Sequence, residues 1–288
     1  MLGLKRCTVK LCDHEQEWEI EAKNTILLLK NILGDIIVDI QHVGSTAIPT
    51  IKAKPIIDIA VAVNDFSDVL KLENELKIKG FYYIPTNENS QLLFACGGYY
   101  DGTGDNQTHF IHVVLKGSMQ WINYINFRDY LNINIDLAKE YEALKIALSK
   151  SAKDRAEYTL GKHEFITYTL RKAIVKSYLG KTVYIEIDRP VGYIHKKEKY
   201  SLIYPINYGF IPNVLGGDGE ELDVYLLGVD KPVCNYNAKI IAIVHRENDV
   251  EDKLIAAPVG MKFSKNEIEN AINFQEQYYK TYLETIKM

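Results

Sequence analysis

The chain has 288 residues, of which 47% are hydrophobic and 25% charged, and its formal net charge is -4. This composition is typical of a globular protein, and the length favours two modest cores over one large core. A slightly acidic chain without a long basic run is a poor candidate for nucleic-acid binding. The N-terminal residues lack the apolar segment of a signal peptide, and no apolar run approaches the ~20 residues that span a bilayer. We therefore expect a cytoplasmic protein without a membrane partner.

The first half of the sequence predicts an α+β domain. Apolar residues at helical spacing predict helices over 15–33 and 66–80, and β-branched runs predict strands over Ile36–Ile40 and Ile56–Val63. Further helices are predicted over 137–150, with Asp136 as N-cap, and from Asp154 to about residue 178.

The second half predicts a β-rich domain with a terminal helix. Gly180 is a plausible helix stop, and the alternating segment Thr182–Asp188 follows at once. This change of pattern predicts domains over 1–178 and 179–288. Strands are predicted over 222–228, 238–245 and 253–257, and a helix from about Lys265 to the C-terminus.

Cysteine usage gives no sign of a metal site. The spacing contains no CxxC pair and no Cys/His cluster of zinc type, which favours reduced and mostly buried thiols. The four residues are Cys7, Cys12, Cys96 and Cys234.

A small-residue turn before the second predicted strand offers groups that suit a phosphate. Gly44 lets the backbone approach an anion, the hydroxyls of Ser45 and Thr46 can donate hydrogen bonds, and Asp58 can hold a divalent ion. Two other readings stay open. The Gly-Ser segment is an ordinary turn, or Asp58 is a strand-end residue that is hydrogen-bonded to it.

Over about residues 12–173, the sequence resembles the GrpB family of the nucleotidyltransferase superfamily. The motifs in the family's order are His42-Val43-Gly44-Ser45-Thr46, Lys54-Pro55-Ile56-Ile57-Asp58, His112-Val113-Val114 and Phe127-Arg128-Asp129-Tyr130-Leu131. The resemblance implies a mixed sheet with helices and a nucleotide or metal site. Its predicted residues are Gly44, Ser45, Thr46, Lys54, Asp58, His112 and Arg128. The superfamily mechanism implies a second carboxylate two residues after Asp58, where this chain has Ala60.

A dense acidic cluster marks the second half. Asp218, Glu220, Glu221 and Asp223 surround a Gly-rich turn, and unpaired carboxylates at this density repel each other. Such a cluster is either a solvated loop or a cradle for hard divalent ions.

The surroundings of this cluster resemble soluble inorganic pyrophosphatase over about residues 182–288. The resemblance is carried by Val183–Pro190, by Tyr204-Pro205-Ile206-Asn207-Tyr208-Gly209, by the acidic loop and by Glu251-Asp252-Lys253. It implies a small OB-like barrel that uses Mg²⁺, with Mn²⁺ as a substitute. The implied catalytic residues are Glu220, Asp223, Lys253 and Tyr208, and the implied metal ligands are Asp218, Asp223, Asp252 and Glu186. The implied phosphate-binding residues are Tyr204, Tyr208, Lys253, Lys196, Arg189, Tyr278 and Tyr279.

Three hypotheses follow from these motifs. The leading one is Mg²⁺-dependent hydrolysis of inorganic diphosphate, or of a nucleotide-derived diphosphate, by the C-terminal domain beside a nucleotide-binding N-terminal domain. The second is nucleotidyl transfer by the N-terminal domain, with the C-terminal domain removing the diphosphate released. The third is a non-catalytic protein that binds nucleotide or phosphate. The expected partners are small phosphorylated molecules, and the sequence is compatible with a homo-oligomer.

Overall fold

The computed structural model describes residues 2–6, 8–86, 89–196, 201–216, 220–249 and 251–286. Its Cα packing divides the chain into two compact units, Met1–Leu170 and Arg171–Met288, called unit 1 and unit 2 below.

Unit 1 contains a five-stranded mixed sheet flanked by helices. The strands of unit 1 are β1 (Leu4–Lys5), β2 (Ile37–Val43), β3 (Ile57–Val63), β4 (Tyr82–Ile84), β5 (Gln91–Cys96), β6 (Asn106–Gln107) and β7 (His109–Leu115). The order in the sheet is β2-β3-β7-β5-β4, in which β3 and β7 are parallel and the other neighbours antiparallel. The helices are α1 (Gln16–Leu33), α2 (Phe66–Leu70), α3 (Glu73–Ile78), α4 (Gly98–Asp101), α5 (Met119–Ile133), α6 (Ile135–Ser151) and α7 (Arg155–Leu160).

Strand β3 shows why one face of this sheet is core and the other can carry a site. Side chains alternate along a strand, so Ile57, Ile59 and Val61 share one face, where they pack in the same core cluster as Trp18 of α1. Asp58 and Ala60 point to the opposite face. The small side chain of Ala60 leaves room there for groups from neighbouring elements.

Unit 2 is a closed barrel. Its five strands pair in the cyclic order β14-β12-β11-β8-β13-β14, and β15 extends the edge of β13. The strands are β8 (Thr182–Arg189), β9 (Ile194–Lys196), β10 (Ser201–Ile203), β11 (Asn207–Leu215), β12 (Glu221–Leu226), β13 (Asn235–Arg246), β14 (Lys253–Ala257) and β15 (Thr281–Thr285). Helix α8 (His163–Tyr178) starts in unit 1 and ends in unit 2, and α9 (Lys265–Glu276) follows β14. The predicted fold class is confirmed for both parts.

Four local predictions differ from the structure. The helix predicted from Asp154 to about residue 178 is two helices, α7 and α8, which are separated by Gly161 and Lys162. Residues 66–80 form two short helices, because Leu72 leaves helical geometry at φ -100° and ψ 12°. Helix α6 begins at Ile135 behind Asn134, so Asp136 lies in its first turn and is not its N-cap. The terminal helix ends at Glu276, whose side chain is buried, and β15 then pairs with β13.

The cysteines are less buried than expected. Cys12 and Cys96 are half-buried and Cys234 is exposed, while Cys7 lies outside the described residues. Along the described ranges, no helix combines the length and apolarity that a membrane crossing requires.

Gly209 allows β11 to lie unusually close to β8. A Cβ at this position would overlap the carbonyl oxygen of Glu186 and lie 2.8 Å from Cα of Ile187, both of them in β8. Since backbone cannot rotate away as a side chain can, we expect Gly209→Ala to destabilise unit 2 by about 1–3 kcal/mol. Hydrogen exchange of the β8 and β11 amides measures this loss. Gly104→Ala, where the nearest atom is 3.8 Å away, is the control, and equal protection in the two variants would contradict the expectation.

Candidate functional site

A polar cluster forms around Lys253 on one face of the unit 2 barrel. Its Nζ lies 2.8 Å from the hydroxyl of Tyr208 and 2.7 Å from Oε2 of Glu251, and it also contacts the carboxylate of Asp223. The Tyr208 hydroxyl donates to the same Asp223 oxygen. The structure thus brings together three residues predicted as catalytic, and it adds Glu251. We call these four residues the Lys253 cluster.

The position of Glu251 corrects the predicted placement of Asp252 beside Asp223. Glu251 and Asp252 immediately precede β14, and their side chains have different partners, that of Glu251 being Lys253. The Asp252 carboxylate is 2.8 Å from Lys172 Nζ and 2.7 Å from His245 Nδ1. Burial alone would raise the pKa of Asp252, but the hydrogen bonds from His245 and Lys172 outweigh it and lower that pKa. Asp252 is therefore part of a buried structural network.

Charge and burial tune the groups of the Lys253 cluster. The Lys253 side chain is only 3% exposed, so its ammonium depends on nearby carboxylates for compensation. Burial, together with the adjacent Asp223 carboxylate, raises the pKa of Tyr208 well above its ordinary value. Tyr208 therefore stays protonated at neutral pH and can donate a hydrogen bond to an anion.

Two further predicted residues share this face of the barrel. Arg189 donates to the Tyr204 hydroxyl at 2.8 Å, and its guanidinium lies 4.9 Å from the centre of the Tyr208 ring. Glu186 is exposed. It lies on the same face as Asp223, because both residues pair with Phe210 on the strand between them.

Of the other predicted residues of unit 2, three are exposed, one packs against Arg246 and one lies outside the described residues. Glu220 is exposed, and Lys196 is exposed at the end of β9. Tyr279 lies under Arg246, whose guanidinium is 3.6 Å from the ring centre, whereas Tyr278 is 62% exposed. Asp218 lies outside the described residues.

Arg246 and Glu276 form a buried ion pair that was not predicted from the sequence. Arg246 donates to Glu276 through Nε at 2.9 Å and Nη2 at 2.6 Å, and Tyr225 donates to the same carboxylate at 2.5 Å. These residues come from β13, α9 and β12, and no local pattern in the sequence links them.

In unit 1, Asp58 belongs to a hydrogen-bonded chain with His112 and Tyr124. His112 Nε2 lies 3.3 Å from Asp58 Oδ1, and His112 Nδ1 lies 3.0 Å from the Tyr124 hydroxyl. The parallel pairing of Ala60 with His112 places the imidazole next to the position without a carboxylate. This face therefore presents an Asp/His pair at the place where the sequence resemblance implied two carboxylates.

Five of the seven predicted residues of unit 1 line two adjoining cavities beside Asp58. Gly44, Ser45, Asp58 and His112 line a cavity of about 550 Å³, and Gly44 has φ +71° with no space for a Cβ against Asp58. Lys54 lines an adjoining cavity of about 160 Å³ that shares Ser45 and Asp58 with the first.

Thr46 and Arg128 line a different cavity, of about 390 Å³. Arg128 donates to the carbonyl oxygen of His42 at 2.9 Å and to Gln41 at 3.1 Å, so it anchors β2. Thr46 is buried and bonds His42. Both are thus separated from the cavities that Asp58 lines.

Within the ranges that the structure describes, no three histidine, cysteine, aspartate or glutamate side chains group closely enough to hold a metal ion. In unit 2, Asp223 and Glu251 are the carboxylates brought together around Lys253.

Two protein families match consecutive parts of the chain. The family described as GrpB protein matches residues 8–172, more than half of the chain, and the family described as inorganic pyrophosphatase matches residues 174–288. The glutamate-rich protein GrpB of Alkalihalophilus pseudofirmus is 39% identical over 175 residues, which are 60% of this chain and 99% of that protein. The crystal structure of GrpB from Enterococcus faecalis covers 59% of this chain and 99% of its own, with 26% identity and a TM-score of 0.53.

The pyrophosphatase likeness is shorter. Soluble inorganic pyrophosphatase 2 of Chlamydomonas reinhardtii is 36% identical over 83 residues, which are 27% of this chain and 43% of that protein. The chain thus spans less than half the length of this relative. Taken with the mixed sheet of unit 1 and the closed barrel of unit 2, these matches show that the chain belongs to the GrpB family and carries a C-terminal domain of the inorganic pyrophosphatase family.

Proposed function

We propose that unit 2 hydrolyses a phosphoanhydride, either inorganic diphosphate or a nucleotide-derived diphosphate. The observation that supports this most directly is the Lys253 cluster, in which a cation, two carboxylates and a protonated phenol meet on one face of the barrel. The match to the pyrophosphatase family supports the same reaction class.

Each group of the cluster has a role in this reaction. Water adds to one phosphorus, the bridging P–O bond breaks, its electron pair leaves with the second phosphate, and that phosphate takes up the proton that the water gives up. Lys253 and Arg189 bind the phosphate oxygens, and the Tyr208 hydroxyl, which donates to Asp223 in this structure, turns to donate to them when the substrate binds. Glu220, the predicted group for orienting the attacking water, stands where the family usually has an aspartate, followed by Glu221 in place of proline. Glu221 accepts a hydrogen bond from the backbone N–H of Asn213 at 2.8 Å, so this contact holds the start of β12.

The carboxylates of the cluster suit Mg²⁺ or Mn²⁺, which prefer oxygen ligands. Asp223 and Glu251 would hold the ion, with Asp218 and Glu186 as further predicted ligands. A Cβ built on Gly216 would lie 3.3 Å from Oε1 of Glu251, so this carboxylate faces the acidic loop. When bound, such an ion neutralises phosphate charge and lowers the pKa of a bound water. Without the ion, the positive charge of Lys253 compensates the negative charges of Asp223 and Glu251.

Asp223→Asn tests the proposal. We expect the wild-type protein to release phosphate from diphosphate in the presence of Mg²⁺, and the variant to be slower by at least about a hundredfold, because it loses a charge that holds both the ion and Lys253. Phosphate release with Mg²⁺ and with Mn²⁺ is the measurement. A wild-type protein that binds diphosphate but releases no phosphate with either ion would favour a non-catalytic role.

A second function, nucleotide binding with nucleotidyl transfer, is proposed for unit 1. The supporting observation is the Asp58–His112–Tyr124 chain beside the Gly44-Ser45 turn. In such a transfer an acceptor hydroxyl bonds to the α-phosphorus, its proton passes to Asp58 or His112, and diphosphate leaves. Incubation with α-labelled nucleoside triphosphates is the test. A labelled acceptor that is absent with Asp58→Ala supports transfer, and no labelled acceptor with the wild type contradicts it.

A further inference from the structure

Three lysines of unit 1 converge on the smaller cavity beside Ser45 and Asp58. Lys54 precedes β3, Lys145 lies in α6, and Lys162 lies between α7 and α8, and all three line the cavity of about 160 Å³. Lys54 Nζ and Lys162 Nζ lie 4.2 and 4.8 Å from the centre of one ring, that of Tyr158. Elements far apart in sequence therefore bring their ammonium groups to one place.

The charges around this cavity favour an anionic ligand. The described residues that line it contribute these three lysines and one carboxylate, that of Asp58. The chain as a whole carries a formal net charge of -4, so this local excess of positive charge runs against its average composition. Ammonium groups in a confined space repel each other, and an anion among them removes that repulsion.

Lys145 is held in place before any ligand binds. Its side chain is 2% exposed, and its Nζ donates to the carbonyl oxygen of Lys52 at 2.5 Å and lies 4.7 Å from the centre of the Tyr141 ring. Burial, followed by repulsion from Lys162 and Lys54, lowers the pKa of Lys145 to about 7, although Glu142 acts in the opposite direction. A buried lysine of this kind gains from a neighbouring anion more than a solvated one does.

We propose that Lys54, Lys145 and Lys162 bind the phosphate chain of a condensed phosphate with three or more phosphoryl groups, free or attached to a nucleoside. A single phosphate carries too little charge for three ammonium groups, whereas a triphosphate chain matches them. The hydroxyl of Ser45 and the backbone of the Gly44 turn lie on the Asp58 side of the cavity and suit the same oxygens. This inference deepens the nucleotide-binding function proposed for unit 1 and is independent of hydrolysis by unit 2.

The adjoining cavity of about 550 Å³ has room for an organic group on the chain. It shares Ser45, Asp58, Phe110, Thr159 and Lys162 with the smaller cavity. Its remaining wall includes the rings of Tyr124, Phe127 and Tyr141, which offer apolar and stacking surface. A nucleoside joined to the phosphate chain would therefore extend from the lysines into this space.

Calorimetric titration of the full chain tests the inference. Titrations use the wild-type chain with ATP, tripolyphosphate and inorganic phosphate without divalent metal, and any heat that a Lys54→Met/Lys162→Met double variant retains is assigned to unit 2. We expect ATP or tripolyphosphate to bind, and Lys54→Met and Lys162→Met each to weaken binding by about tenfold or more, the value of one charge-assisted contact. Lys116 is exposed and directly follows β7. Lys116→Met is the matched control, and we expect it to bind ATP and tripolyphosphate as tightly as the wild type.

Two further readouts separate the outcomes. Tighter binding of ATP than of tripolyphosphate indicates that a nucleoside occupies the larger cavity, and equal binding indicates the inorganic chain. The bound anion raises the pKa of Lys145, so we expect the protein to take up a proton when it binds the ligand at pH 8. Titrations in buffers of different ionisation enthalpy measure this proton uptake. Fluorescence of Trp18 and Trp121, both in unit 1, verifies folding. If neither ligand binds, or if both lysine variants bind like the control, the inference is wrong, whether or not the wild type hydrolyses diphosphate.

Discussion

Glu251→Gln is expected to lower the rate of diphosphate hydrolysis by at least about a hundredfold, the scale on which one charge-stabilising group acts in an active site. Glutamine keeps the shape of the side chain but removes the charge that lies 2.7 Å from Lys253 Nζ. It also removes a carboxylate that would hold Mg²⁺. Phosphate release at varied diphosphate and Mg²⁺ concentrations gives the rate, and a higher Mg²⁺ requirement would accompany the loss.

Asp252→Asn is the matched comparison, since it makes the same change one residue away. Asp252 bonds Lys172 and His245, so we expect this variant to lose stability and keep most of its rate per folded molecule. Because the pKa of Asp252 is lowered in the folded state, its ion pairs contribute stability above the ordinary aspartate pKa, and that contribution is lost as pH falls through the lowered value. If Asp252→Asn does not hydrolyse diphosphate while Glu251→Gln does, then Asp252 and not Glu251 is the metal ligand, as the sequence predicted.

This contrast shows where sequence reasoning about unit 2 succeeds and where it stops. The motifs were enough to predict a barrel and to bring Asp223, Tyr208 and Lys253 into one site. They could not decide between two adjacent acids, because a one-residue difference in register exchanges the two faces of a strand. That decision needs the pairing of β14 with β12, which places Val224 opposite Leu254 and so puts Lys253 on the side of Asp223.

Unit 1 shows the same limit in another form. The sequence indicated the Gly44 turn and Asp58, but His112 gained its position only through the parallel pairing of β7 with β3. Lys145 lies in a helix whose apolar spacing predicted packing, and its burial became evident only from the fold. Arg128 was predicted near phosphate, yet it bonds β2 from α5. Contacts between distant segments therefore decided which basic residues face the cavity.

Glu276→Ala is expected to destabilise unit 2 by about 3–5 kcal/mol, the usual cost of removing one partner from a buried ion pair. The Arg246 side chain is 2% exposed and donates two hydrogen bonds to the Glu276 carboxylate. Alanine leaves the guanidinium charge buried, with Asp249, 2.9 Å away, as its remaining carboxylate partner among the described residues. Hydrogen exchange of the β13 amides is the measurement, because both tryptophans belong to unit 1 and their fluorescence does not report on this barrel.

Two controls separate charge from packing in this prediction. Glu269→Ala removes a carboxylate of the same helix that lies 3.7 Å from exposed Lys265, and it should cost less than about 1 kcal/mol. The double replacement Arg246→Met with Glu276→Leu removes both charges and fills the space, so it should recover most of the lost stability. If the double variant is as unstable as Glu276→Ala, the loss comes from packing around Tyr225 and not from an uncompensated charge. Because Tyr225 lies on β12 two residues after Asp223, that outcome would make α9 a packing support for the strand that carries the Lys253 cluster.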